Sequence, residues 1–88
     1  MIERQVTIVN SLGMHARPAA QIVRLAATFA ASLELECDGQ RVNGKSIMGV
    51  MMLAAEQGAT VILRSDGPDA EAAADALAAL IRSGFGES

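Results

Sequence analysis

The sequence predicts an α+β fold, a four-stranded antiparallel sheet with three helices on one face in the order βαββαβα, the arrangement of an open-faced β-sandwich. Three observations carry that prediction. Four short segments alternate apolar and polar residues as half-buried strands do, three others repeat apolar residues at helical spacing, and Gly, Pro, Asn or Asp punctuates the junctions. Alternating strands imply one buried and one wet sheet face, and three amphipathic helices are enough to cover the buried one.

Ile2 to Val9 is rich in β-branched residues, sets Ile2, Val6 and Ile8 on one side, and runs into turn chemistry at Asn10 to Gly13. Pro18 is tolerated only in the first turn of a helix. The apolar set Ala19, Ile22, Val23, Ala26, Phe29 and Ala30 follows at helical spacing, so the first helix begins between His15 and Arg17. Ser32 to Cys37 is the second strand, Asp38-Gly39 a two-residue hairpin signal, and Gln40 to Asn43 a short third strand that Gly44 ends.

Ser46 suits the N-cap of a short helix that turns Ile47, Val50, Met51, Leu53 and Ala54 inward, leaves Met48 and Met52 toward solvent, and stops at Gly58. Ala59 to Arg64 is the fourth strand. Asp66-Gly67-Pro68 then places a turn or capping group ahead of a proline suited to the first position of the third helix. That helix carries the stripe Ala70, Ala73, Ala74, Leu77, Leu80 and Ile81, and Gly84 with Phe85 reads as a glycine stop followed by a hydrophobic clasp.

A chain of 88 residues suits one domain, residues 1–88, whose folding removes roughly 60 to 65% of the unfolded surface from water. With 51% hydrophobic and 19% charged residues the composition excludes disorder and fibrous repeats. The net charge of −3 and the restriction of aromatics to Phe29 and Phe85 exclude a basic, base-stacking nucleic-acid surface. No apolar run approaches the roughly 20 residues of a membrane span, and the N-terminus lacks the order of a secretory signal, so a cytoplasmic protein without membrane insertion is expected. The single cysteine, Cys37, falls on the apolar side of the second strand as a structural thiol. With one histidine in the chain there is no ligand set for a metal, and no cofactor is expected.

Gly13-Met14-His15-Ala16-Arg17-Pro18-Ala19 combines the only imidazole with a guanidinium and a helix start. The first helical N–H groups have no intrahelical partners and sit at the positive end of the macrodipole, so an anion on His15 meets donors already aimed at it. Arg17 can add a charge-assisted hydrogen bond, and neutral imidazole is a nucleophile at physiological pH. Gly13 allows close backbone approach, while Pro18 fixes the first turn. A capping histidine beside a solvated arginine is the plain alternative.

The second segment is Asn43-Gly44-Lys45-Ser46-Ile47-Met48-Gly49-Val50-Met51, a hydroxyl just before a helix with apolar residues behind it. An N-cap accounts for that serine without further function. Methionines on a two-turn helix suit a surface that meets several partners, because the unbranched thioether adapts its shape.

The heptapeptide resembles, residue for residue, the active-site signature of the HPr family, the histidine phosphocarriers of the bacterial phosphoenolpyruvate:sugar phosphotransferase system, and the likeness extends over essentially the whole chain. The resemblance implies that His15 takes phosphate from phosphorylated enzyme I and passes it to an enzyme IIA domain, with Arg17 steadying the phosphate. The chain then acts as a carrier rather than an enzyme, and as a monomer. Gly44 to Met51 is similar to the serine site that HPr kinase/phosphorylase modifies in many members, which implies regulatory phosphorylation at Ser46 and a transcriptional regulator as a further partner. The resemblance also implies one contact surface formed by Ala16, Ala20, Gln21 and Arg24 with Ile47, Met48, Met51 and Met52. Met52 departs from the smaller polar residue of many serine-switch members, and Ser83-Gly84-Phe85 is similar to the nitrogen-branch relatives, the alternative reading.

Overall fold

The computed structural model describes residues 1–87. Its elements are β1 (Ile2–Thr7), α1 (Ala16–Ala26), β2 (Ser32–Cys37), β3 (Gln40–Asn43), α2 (Ile47–Met52), β4 (Thr60–Asp66) and α3 (Ala70–Arg82). All strand pairs are antiparallel and the sheet order is β1-β4-β2-β3, so the expected α+β architecture is found. The register pairs Val6 with Val61 and Leu35 with Leu63, which brings apolar side chains together on the helix-covered face.

The core is built where the alternation required it. Val6, Ile8, Leu33, Leu35, Val61 and Leu63 from the sheet segment meet Ile22, Val50, Leu77 and Ile81, all buried, and each such side chain contributes about 1.5–3 kcal/mol relative to exposure. Cys37 is buried and free, and burial pushes its thiol up from the ordinary value. On the wet face Arg64 bridges Glu3, Glu34 and Glu36 across three strands. Asp38 and Gly39 both have positive φ, 50° and 81°, as a tight hairpin between twisted strands demands.

Several boundaries differ from the sequence expectation. β1 ends at Thr7 rather than Val9, although Ile8 stays buried, and β4 runs from Thr60 to Asp66 rather than Ala59 to Arg64. α1 ends at Ala26, leaving Phe29 half-buried and Ala30 exposed in the following turn. α2 stops at Met52, well before Gly58, because Ala54 adopts φ 52° and breaks the right-handed helix. Ile47, Met51 and Ala54 therefore face outward rather than inward: six residues bury one side chain, Val50, with Leu53 following from the cap. Met48 and Met52 face solvent as expected.

α3 starts at Ala70, two residues past Pro68, and its N-cap Asp69 makes no side-chain cap bond. The expected stripe is buried, with Leu80 packed at its margin. Beyond Arg82 the chain makes one left-handed turn, with φ of 74°, 60° and 74° at Gly84, Phe85 and Gly86, and Phe85 is buried as the expected clasp. No helix among the described residues is long and apolar enough to cross a membrane.

Candidate functional site

The loop from Asn10 to His15 is held by its own backbone and by the segment after α2. Asn10 Nδ2 donates to the Gly13 carbonyl at 2.9 Å, and the Met14 N–H donates to the Ala55 carbonyl at 2.8 Å. Gly13 has φ +68° and a Cβ there would lie 2.5 Å from the Ala55 oxygen, so the close approach expected of this glycine is to neighbouring backbone. Met14 is buried beside it and fixes where the chain re-emerges.

His15 is the N-cap residue of α1, in extended conformation, and its carbonyl accepts the first intrahelical bond from Ala19 at 3.0 Å. The N–H groups of Ala16 and Arg17 precede that first bond, and Pro18 has no N–H to satisfy. Among the described residues, two backbone donors at the positive helix end are thus left for an anion next to the imidazole. The ring makes no cap hydrogen bond to them.

The imidazole is 34% exposed, which leaves it open to an incoming protein, and its Nε2 lies 3.1 Å from Glu87 Oε2 and 3.2 Å from Oε1. Asn10 Nδ2 also donates to Glu87 Oε1, at 3.1 Å. The hydrogen bond from His15 holds the Glu87 carboxyl below the usual carboxylate range. Burial opposes it, and the bond from Asn10 with the charges of His15 and Arg17 reinforces it. Gln21 Nε2 donates to the Phe85 carbonyl at 3.3 Å, which ties the tail to α1.

Neither Glu87 nor Asn10 is found by sequence reasoning. The signal available for Glu87 is Gly84-Phe85-Gly86, one anchoring aromatic between two glycines that permit the chain to turn back. Asn10 is legible as a turn residue and not as a bridge to the chain's other end.

Arg17 and Arg24 are exposed, and among the described residues neither side chain makes a hydrogen bond or ion pair. Ala16 is exposed, and Ala20 and Gln21 are half-buried. Packed against α1 is α2, where Ile47, Met48, Met51 and Met52 are 43%, 69%, 44% and 64% exposed. Ser46 caps α2 as expected, its Oγ accepting the Gly49 N–H at 3.1 Å, while Lys45 Nζ donates to the Phe29 carbonyl. Among the described residues no group of three or more His, Cys, Asp or Glu is placed to hold a metal ion.

Comparison with known proteins matches residues 2–83 to the family described as the PTS HPr component phosphorylation site. The chain is 52% identical over 87 residues to the phosphocarrier protein HPr of Cupriavidus necator, covering 99% of this chain and 98% of that one. It is 40% identical over 87 residues to the phosphocarrier protein NPr of Shewanella violacea, covering 99% and 96%. The crystal structure of HPr from Thermoanaerobacter tengcongensis superposes with a TM-score of 0.95 at 46% identity, over 100% of this chain and 99% of that one. A structure of an HPr dimer from the same organism matches with a TM-score of 0.78 at 47% identity, over 99% and 100%.

Proposed function

Because the chain belongs to the HPr family of phosphocarriers, we propose that it accepts a phosphoryl group from phospho-enzyme I on His15 and donates it to the enzyme IIA domains of sugar-specific phosphotransferase permeases. The observation that supports this most is the one-third-exposed imidazole of His15 at the cap of α1, beside the N–H groups of Ala16 and Arg17, which precede the first intrahelical bond. Those donors and the exposed Arg17 guanidinium meet the new dianion without reorganising the fold. The chain works as a carrier in the cytoplasm, with no cofactor, and all these groups lie on one copy. A monomer therefore suffices, and sedimentation at working concentration tests it against the dimer described for the T. tengcongensis relative.

Docking falls to the face where Ala16, Ala20, Gln21 and Arg24 of α1 adjoin Ile47, Met48, Met51 and Met52 of α2. Arg17 and Arg24 attract acidic partners, and adaptable methionines suit a donor and an acceptor of different shape. Ser46 is the regulatory site, modified by HPr kinase/phosphorylase, and the modified form binds a transcriptional regulator. The nitrogen branch is the second reading, favoured by the identity to NPr. Complementation of sugar uptake in a strain lacking its own carrier separates the two.

With enzyme I and phosphoenolpyruvate the protein gains one acid-labile phosphoryl group, and an added enzyme IIA domain removes it. A protein that takes the label and cannot pass it on contradicts the carrier reading.

A further inference from the structure

The chain holds six sulfur atoms, in Cys37 and five methionines, and the fold divides them sharply. Cys37 and Met14 are buried in the core, and burial pushes the Cys37 thiol up, away from the reactive thiolate form. Met48, Met51 and Met52 are exposed together on α2, and Met1 is exposed ahead of β1. We propose that Met48, Met51 and Met52 form a reversible oxidation site, taking oxygen from a hydroperoxide, and that their sulfoxides close the α2 docking face while the fold and the chemistry at His15 stay intact. This rests on the carrier reading of His15 and adds a switch to it.

The three thioethers are three and four residues apart, so they share one side of the helix and present a single patch. Oxidation follows exposure, and it converts a flexible apolar side chain into a polar one. Within α2 only Val50 is buried, so an oxygen added to the methionines meets solvent rather than core. In a docked complex the same oxygen, a strong acceptor, is covered by partner surface and costs free energy unless a donor meets it. His15 and Arg17 contain no sulfur, and the thioether next to them in sequence, Met14, is protected by burial. Oxidation therefore weakens docking and leaves the transfer step alone.

The chemistry balances with a peroxide as oxidant and a thiol as reductant. A sulfur lone pair attacks one peroxide oxygen, the O–O bond breaks, and the other oxygen leaves as water after taking the proton of the first. Sulfur is oxidised by two electrons and the peroxide is reduced by two. In the return step two thiols supply two electrons and two protons, giving thioether, disulfide and water.

The test treats full-length wild type and a Met48→Leu, Met51→Leu, Met52→Leu triple variant with hydrogen peroxide and removes the excess with catalase. Each protein is then compared with its own untreated form. Peptide mass mapping of wild type should place oxygen on Met48 and Met52, at 69% and 64% exposure, ahead of Met51 at 44%, with Met14 unmodified. Circular dichroism should not change. KM for phosphoryl transfer from enzyme I should rise roughly tenfold at unchanged kcat, the scale of losing one interface anchor. Methionine sulfoxide reductases with a dithiol should restore it. The triple variant, whatever its own KM, should keep that value after peroxide although Met1 can still be oxidised. If untreated wild type takes no phosphoryl group, the carrier reading itself fails and the switch with it. If it takes one, the role of these methionines alone is overturned by any of four results: an unchanged KM after oxidation, a fall in kcat or loss of fold in its place, a KM that the reductases do not restore, or an equal rise in the triple variant.

Discussion

The carboxylate of Asp69, immediately before α3, accepts the backbone N–H of Ala31 at 2.7 Å and, through its other oxygen, that of Ala30 at 2.9 Å. These bonds join the turn after α1 to the start of α3, where a Cβ on Gly67 would lie 2.8 Å from Ala31 Cα. The N–H groups of Ala30, then Ala31, hold the Asp69 carboxyl below its ordinary value. A lowered folded-state pKa means that the stabilisation is fully present above the unfolded value, about pH 4, and is lost as pH falls through the folded one.

Asp69→Asn is therefore expected to lower Tm at neutral pH and to lose less stability than wild type on acidification below about pH 4. Glu36 and Glu87 are lowered too, chiefly by their hydrogen bonds with Arg64 and His15, so the difference between the two proteins isolates Asp69. Thermal unfolding over that range checks it. Parallel curves would show that the carboxylate does not clamp this turn.

Gly13 is needed for both its φ and its lack of Cβ, whereas Gly39, also left-handed, has nothing within 4 Å of a Cβ. Gly39→Ala should cost about 1 kcal/mol from the backbone alone, and Gly13→Ala about 2–4 kcal/mol once the contact with Ala55 is added. Urea unfolding of the two variants measures this. Equal costs would mean that the His15 loop is not seated on the segment after α2.

Replacing Ser46 by Ala removes the acceptor for the Gly49 N–H and should cost about 1 kcal/mol, most of which Ser46→Asp restores. HPr kinase/phosphorylase with ATP is expected to add an acid-stable phosphate at Ser46. Negative charge at a helix N-terminus is favourable, so the fold survives and transfer from enzyme I slows. Mass mapping with circular dichroism tests this, and an unmodified Ser46 or a melted product contradicts it.

The strands were legible because period-two alternation survives from sequence to sheet: Ser32–Cys37 and Gln40–Asn43 stand where the pattern set them. The cap at Ser46 and the helix start at His15 were legible because capping chemistry is local. The inward face of α2 is not legible because a helix of six residues buries only Val50, and hydropathy alone cannot tell which of its apolar residues turn inward. Asp69 reaching to Ala31, and Glu87 to His15, join residues far apart in sequence, and no periodicity encodes such bonds.

The most direct test of the carrier reading is labelling of His15→Ala by enzyme I and radiolabelled phosphoenolpyruvate, beside wild type. His15 packs at the surface with a third of its side chain exposed, so the variant should keep the circular dichroism and unfolding midpoint of a folded protein. The account predicts an acid-labile label on wild type and none on the variant; a folded His15→Ala protein that still takes the label would contradict it.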